Sequence, residues 1–228
     1  MKMGKTMQLA PLLRIGRGVT AIIGGGGKTT LLYTLTEELR KKGSVLLCTS
    51  THIRIPEQYP PVTGGAEELR RALSARGAVC AGTYAESGKL TAPPVPFGEL
   101  SALADYVLVE ADGSRGLPLK AHAAHEPVIP SNAQRVVLVV GADGFGGSIQ
   151  EVCHRPELYA ERAGASASDI VTPELAARVI LAEGFGDRVY INKLESADGY
   201  AQAERLARLL PCPVVAGSLH KGVFTCLR

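Results

Sequence analysis

The sequence lacks any closely spaced cysteine pair. Its five cysteines, at positions 48, 80, 153, 212 and 226, are odd in number and form no CxxC motif. That excludes a sequence-evident disulfide framework and a cysteine-built zinc site, and fits a reducing compartment. It also lacks a basic stripe. The densest clusters, Arg40-Lys41-Lys42 and Arg70-Arg71, are short, and 25 basic against 22 acidic residues leave a net charge of +3. A nucleic-acid partner is therefore not expected. Long apolar runs are missing too: stretches such as Val136 to Val140 fall well short of the ~20 residues that span a bilayer, so no membrane partner is expected. The opening MKMGKTMQLAPLLR has no apolar stretch of signal-peptide length, which leads to an expectation of a cytoplasmic protein.

What is present is a globular composition. Of 228 residues, 46% are hydrophobic and 21% charged, and a chain of this length buries roughly 70% of its unfolded surface. The length favours one domain over residues 1–228, with 1–17 as an N-terminal extension. Continuous apolar runs at 19–23, 44–49, 106–110, 135–141, 188–192 and 214–216 read as buried strands. They alternate with helical patterns, which predicts an α/β fold with a mostly parallel sheet flanked by helices. A first helix is expected over 29–42, with Leu31, Leu32, Leu35 and Leu39 on one face, Arg40, Lys41 and Lys42 at its negative end, and a stop at Gly43. Another opens at Thr172-Pro173-Glu174, and Ala203, Leu206, Ala207 and Leu210 mark the last. Two stretches resist this pattern. Residues 82–96, with a hairpin about Ser87-Gly88, and residues 113–132 read as loop insertions or lids, one after the second strand region and one after the acidic strand.

The strand at 19–23 runs into Gly24, Gly25, Gly26, Gly27, Lys28, Thr29 and Thr30 and then a helix, the context of a phosphate-binding loop. Glycines let successive amides converge on an anion, the helix N-terminus adds its positive dipole, Lys28 reaches the terminal phosphates, and Thr29 ligates Mg²⁺. Ile22 stands where the common GxxxxGK[ST] spacing has its first glycine, so the loop is a variant of a P-loop. The strand at 106–110 ends in Glu110-Ala111-Asp112-Gly113, a Walker-B arrangement if it neighbours the loop strand. Glu110 is then the magnesium ligand, directly or through water, with Asp112 a second candidate and the Gly113 amide a γ-phosphate sensor. The strand at 188–192 leads into Asn192, Lys193, Leu194 and Glu195, similar to the NKxD box that reads guanine. Glutamate replaces the aspartate, which leaves the base, GTP or ATP, open.

Loops at the carboxyl edge of such sheets carry ligands. Arg115, Lys120, His125 and Glu126 are thus candidates to bind an anionic substrate or complete the γ-phosphate site, with Arg115 grouped with Lys28, Glu110 and Asp112 as a catalytic candidate. For each, ion pairing, solvation or loop anchoring is the plain alternative. Thr51 ends the second strand, where its hydroxyl either meets Mg²⁺ or nucleotide or merely reflects strand propensity. His122 and His125 are three apart, but Pro118 and Pro127 leave little room for the helix a metal pair needs, so zinc is not expected.

The boxes GGGGKTT, EADG and NKLE resemble those of P-loop GTPases that assist metal-centre maturation. The run EADGSRGLPLKAHAAHEPVIPS at 110–131 is similar to the signature of the YqeC-like accessory family of selenium-dependent molybdenum hydroxylases. The similarity extends over the phosphate loop and Thr49-Ser50-Thr51-His52, from about 19 to 218. The resemblance implies a role in selenium cofactor biosynthesis, supporting hydroxylase maturation with a molybdenum hydroxylase or its cofactor carrier as partner. The residues themselves imply a Mg²⁺-dependent NTP hydrolase, slow until a partner completes the site. Two other functions fit the same motifs: a P-loop kinase of a small cofactor precursor, and a nucleotide-switched docking protein without multiple turnover.

Overall fold

The computed structural model describes residues 7–228; the first six residues of the expected N-terminal extension lie outside the described part. The six continuous apolar runs become largely buried strands, and three further strands join them. They are β1 (Gly18–Gly24), β2 (Val45–Thr49), β3 (Pro61–Val62), β4 (Ala78–Ala81), β5 (Tyr106–Glu110), β6 (Ala133–Gly141), β7 (Arg188–Asn192), β8 (Val214–Ser218) and β9 (Val223–Cys226). They form one nine-stranded sheet in the order β9-β8-β7-β6-β1-β5-β2-β4-β3. All neighbours pair in parallel except β8 with β9. The expected α/β architecture holds. The strands not anticipated, β3, β4 and β9, are short or half exposed and carry little periodic signal.

Helices cover both faces. On one, α1 (Leu9–Leu12) and α2 (Lys28–Leu39) bring Leu9, Leu13, Leu31 and Leu35 onto Ile22, Val139 and Tyr190. On the other, Val19, Ala21 and Ile23 of β1 face the side closed by α3 (Ala66–Arg76), α4 (Phe97–Leu103), α6 (Pro156–Ala163), α7 (Pro173–Glu183) and α8 (Ala197–Leu209), with the short α5 (Ile149–Val152) alongside. From Leu9 onward the stretch expected as an extension is core: Leu9 and Leu13 are fully buried. The Glu38 carboxylate of α2 accepts from the amides of Leu9 and Ala10 at 2.8 and 2.7 Å, satisfying the free donors of the α1 start. Helix α2 ends at Leu39, earlier than expected, so the basic trio lies beyond its last turn. Thr172 caps α7 as expected, accepting from the Leu175 amide.

Of the two irregular stretches, the first is the anticipated hairpin: Thr83–Tyr84 pairs with Leu90–Thr91, to which His52–Ile53 adds a third strand. The second is no loose lid. Leu119–Lys120 pairs in parallel with Cys153–His154, and Leu119 and Ala121 enter the core. After β1 the chain builds β2 to β5 on one side and β6 to β9 on the other, so the carboxyl end of β1 is a topological switch point. The glycine loop sits there. Among the described residues no helix is long and apolar enough to cross a membrane.

Candidate functional site

The loop after β1 is shaped by its glycines. Gly24, Gly26 and Gly27 hold φ of +94°, +77° and +125°, and a Cβ on Gly26 would lie 2.4 Å from the Gly141 backbone. The amides do not all converge outward, as the sequence led us to expect. Gly24 donates to Asp112 Oδ2 at 2.9 Å, Gly25 to the Val139 carbonyl at 3.0 Å and Gly26 to the Leu117 carbonyl at 3.0 Å. Buried amides need acceptors, and the neighbouring β6 and the 113–132 segment supply them. The amides of Gly27, Lys28, Thr29 and Thr30 donate to no group among the described residues. These four, at the N-terminus of the twelve-residue α2, form the open donor set.

β1 and β5 are neighbours, with Ile22 opposite Glu110, so the acidic strand end arrives beside the loop. Thr29 Oγ1 donates to Glu110 Oε2 at 2.8 Å. Lys28, only 4% exposed, turns back over the loop. Its Nζ donates to the Gly24 carbonyl at 2.6 Å and to Ser114 Oγ at 3.2 Å, and lies 3.2 Å from Asp112 Oδ1 and 4.0 Å from Glu110 Oε1. Asp112 is fully buried. Burial would raise its pKa, but the His122 hydrogen bond and the charges of Lys28, Lys120 and His122 outweigh it and hold it at about 2. Glu110 goes the other way: burial raises its pKa against the opposing pull of Lys28 and Thr29, and Asp112 adds to the rise.

Asp112, a second magnesium candidate in the sequence, has Oδ2 taken up by protein groups, while Oδ1 lies beside Lys28 without a hydrogen-bond partner among the described residues. Oδ2 accepts from Gly24, meets His122 Nε2 at 2.6 Å and lies 3.3 Å from Lys120 Nζ, while Oδ1 faces Lys28. It is a brace for the loop and its lysine. Lys120 is likewise not a lid residue. Its side chain is fully buried, donating to the Gly113 carbonyl at 2.5 Å and pairing with Glu126 at 2.8 Å. Glu126 in turn receives Arg155 at 2.9 Å, and His125 is exposed beside Arg155 at 3.5 Å. Arg115 is exposed, with φ of +52° and no ion pair among the described residues. Thr51 lies near the end of β5 through Thr49, whose hydroxyl donates to the Glu110 carbonyl at 2.8 Å and accepts from the Thr51 amide at 3.0 Å.

Sequence reasoning missed the next layer. His122 is 1% exposed and bridges Asp112 to Glu183, its Nδ1 2.6 Å from Glu183 Oε2. Glu183 also takes the His122 amide at 2.7 Å and Arg162. Burial lowers the His122 pKa, but its two carboxylate partners prevail and raise it. His122 was visible within the 110–131 run, yet Glu183 lies 61 residues away on α7 and carries no local signal.

Beyond Gly27 and Thr30 opens a cavity of about 660 Å³, walled by Asp143, Lys193, Glu195 and Ser218. Asn192, 4% exposed, ties two loops together: Nδ2 donates to the Gly26 carbonyl at 2.8 Å and Oδ1 accepts from the Leu219 amide at 3.1 Å. Asn192 also borders the cavity. Lys193, at φ of +64°, pairs with Asp143 at 2.6 Å, and Glu195 Oε1 accepts from Ser218 Oγ at 3.3 Å.

A strand running through a glycine turn into a lysine-headed helix, with an acid on the adjacent parallel strand, makes this an α/β protein of the P-loop NTPase fold. Comparison with known proteins narrows it. The YqeC protein family model matches residues 20–157, and the chain belongs to that family. It is 34% identical over 155 residues to the YqeC protein of Escherichia coli (strain K12), covering 64% of this chain and 60% of that protein's length. A solved structure of Signal Recognition Particle 54 kDa protein from Aeropyrum pernix K1, in complex with GDP, aligns over 98% of this chain and 46% of that one, at 17% identity and a TM-score of 0.45.

Proposed function

We propose that the chain binds a magnesium nucleoside triphosphate, GTP or ATP, and hydrolyses it slowly in support of hydroxylase maturation. The observation that carries this reading is the joint placement of Lys28 and the Thr29–Glu110 contact, 2.8 Å apart, beside four open amides. The phosphates would lie on the amides of Gly27, Lys28, Thr29 and Thr30, under the dipole of α2. Lys28 Nζ exchanges part of its contact with Asp112 for phosphate oxygen, and Asp112 keeps it aimed. A hydroxyl and a carboxylate are hard oxygen donors that suit Mg²⁺. Glu110 is buried with a raised pKa, a condition that a cation at that point relieves. Thr29 and Glu110 would hold the ion, which would supply neutralisation of phosphate charge for attack by water.

The base would occupy the cavity of about 660 Å³, within the range of roughly 300–1,000 Å³ common for small-molecule sites. There Lys193 offers its aliphatic stem to a ring face and Glu195 offers acceptors to its edge, which favours guanine through its two N–H donors. The link to selenium-dependent molybdenum hydroxylases rests on the family resemblance of residues 110–131. The test is phosphate release from magnesium GTP and ATP by the purified chain, with and without a molybdenum hydroxylase. Slow basal release that the hydroxylase accelerates is expected; no release under either condition would overturn the hydrolase reading.

A further inference from the structure

Ser114, the residue that follows EADG at the end of the acidic strand, is half-buried and sits against the loop lysine. Its Oγ lies 3.2 Å from Lys28 Nζ and makes no other hydrogen bond among the described residues. An ammonium has three protons and no acceptor, so in this contact the lysine donates and the serine accepts. The serine's own O–H proton is therefore uncommitted. Lys28 is not fully used either. The Gly24 carbonyl and Ser114 Oγ take two of its protons, and Asp112 Oδ1, 3.2 Å away, forms no hydrogen bond with it.

The main chain fixes where that hydroxyl stands. The Gly113 carbonyl accepts from buried Lys120 at 2.5 Å, which holds the peptide leading into Ser114. The Ser114 carbonyl accepts from the Leu117 amide at 2.9 Å, closing a tight turn whose central residues, Arg115 and Gly116, have φ of +52° and +81°. Two left-handed residues in succession are the pattern of a type I′ turn, and arginine is an uncommon occupant of that conformation. Beyond the turn, the Leu117 carbonyl accepts from the Gly26 amide at 3.0 Å and the Pro118 carbonyl from the Gly141 amide at 2.9 Å. Ser114 is thus tied to the phosphate loop from both sides by bonds in which its side chain takes no part.

We infer that Ser114 is the residue that tells a nucleoside triphosphate from a diphosphate. This rests on the nucleotide reading above, in which Lys28 reaches the terminal phosphate. A terminal phosphate on the remaining Lys28 proton brings its other oxygens beside the Ser114 hydroxyl. That hydroxyl donates to one of them while still accepting from Lys28. A hydroxyl on an anionic oxygen makes a charge-assisted bond, about twice as strong as a neutral one. A diphosphate carries no group at that point and leaves the bond unmade. Ser114 selects the ligand and forms no covalent bond with it.

Calorimetry on the full chain tests this, with the magnesium complexes of GDP, ADP and the non-hydrolysable imido analogues of GTP and ATP. In Ser114→Ala the triphosphate of the preferred base should bind about tenfold more weakly, the scale of one hydrogen bond to a charged group. The diphosphate should stay within about twofold of wild type. The ratio of the two affinities is the readout, because a displaced loop would weaken both alike. Ser114→Thr, which keeps the hydroxyl, should restore the ratio. An unchanged ratio in Ser114→Ala, equal weakening of both nucleotides, or a ratio that threonine does not restore would overturn the assignment. A wild-type chain that binds no nucleotide refutes the nucleotide reading and this inference with it, whereas binding with an unchanged ratio refutes this inference alone. If Ser114→Ala does not fold, Ser114→Cys carries the test: a thiol is a weak donor, so the ratio should fall there too, and its persistence would count against Ser114.

Discussion

The floor of the phosphate loop and the wall of the neighbouring cavity are built from the same kinds of side chain, yet in opposite settings. On the floor, Lys28 and Asp112 are 3.2 Å apart with side chains 3% and 0% exposed; on the wall, Lys193 and Asp143 are 2.6 Å apart but 39% and 44% exposed. The shorter pair is the weaker one. Water screens the exposed pair to about 1 kcal/mol or less, whereas removing one member of a buried pair strands its partner and costs about 3–5 kcal/mol. Contact distance therefore does not rank these residues; what stands behind them does. Behind Lys28 stand Asp112, Lys120, His122 and Glu183 in one closed network. Behind Lys193 there is solvent.

The sharpest break in this contrast is Asp112→Ala, which takes from buried Lys28 its nearest carboxylate and from His122 one of its two, and should cost about 3–5 kcal/mol in urea unfolding. Lys193→Ala, its counterpart on the wall, should change stability by less than about 1 kcal/mol; equal losses would dissolve the distinction. Next, Thr29→Ala removes one of two hydroxyl–carboxylate partners at the proposed magnesium point. It should weaken nucleotide binding about tenfold with magnesium present, and little in EDTA. The floor should also be pH-sensitive. The His122 pKa is raised on folding, so its stabilisation is complete below its ordinary value of 6.5 and fades as pH climbs through the higher folded value. Asp112 is held at about 2, so its contribution is complete above its ordinary 3.8 and fades only as pH falls through about 2. His122→Gln should flatten the alkaline decline in a urea-midpoint profile. The smallest effect is on the wall: Glu195→Asp should alter the GTP-to-ATP preference by less than about tenfold, read by competition binding, and no change would remove Glu195 from base recognition.

The legibility of these two regions in sequence follows the same divide. Strand, glycine turn and helix are contiguous, so periodicity and turn chemistry mark β1, the loop and α2 directly. Lys28, Thr29 and Glu110 lie at ends of strongly apolar elements and are equally plain. The partners that hold them are not. Asp112 reads as a second magnesium candidate because its strand-end position is visible, whereas its buried contacts with Gly24, Lys28 and His122 are not. Lys120 looked like a lid residue because a Pro- and Gly-rich segment gives no sign that it will pair with Cys153–His154 and sink into the core. Glu183, on another helix, is joined to His122 only by the folded chain. The inward amides of Gly25 and Gly26 depend on carbonyls of Val139 and Leu117, which no local pattern identifies.

The central claim is that four open amides and Lys28 hold a triphosphate. Isothermal calorimetry with magnesium GTP and magnesium ATP, on the wild-type chain and on Lys28→Ala, tests it most directly. The account predicts saturable one-to-one binding of at least one nucleotide, weakened in Lys28→Ala by about 1.5–3 kcal/mol, the worth of hydrogen bonds to a charged group. Folded wild-type protein that gives no heat with either nucleotide, or binds as tightly without the lysine, would contradict it.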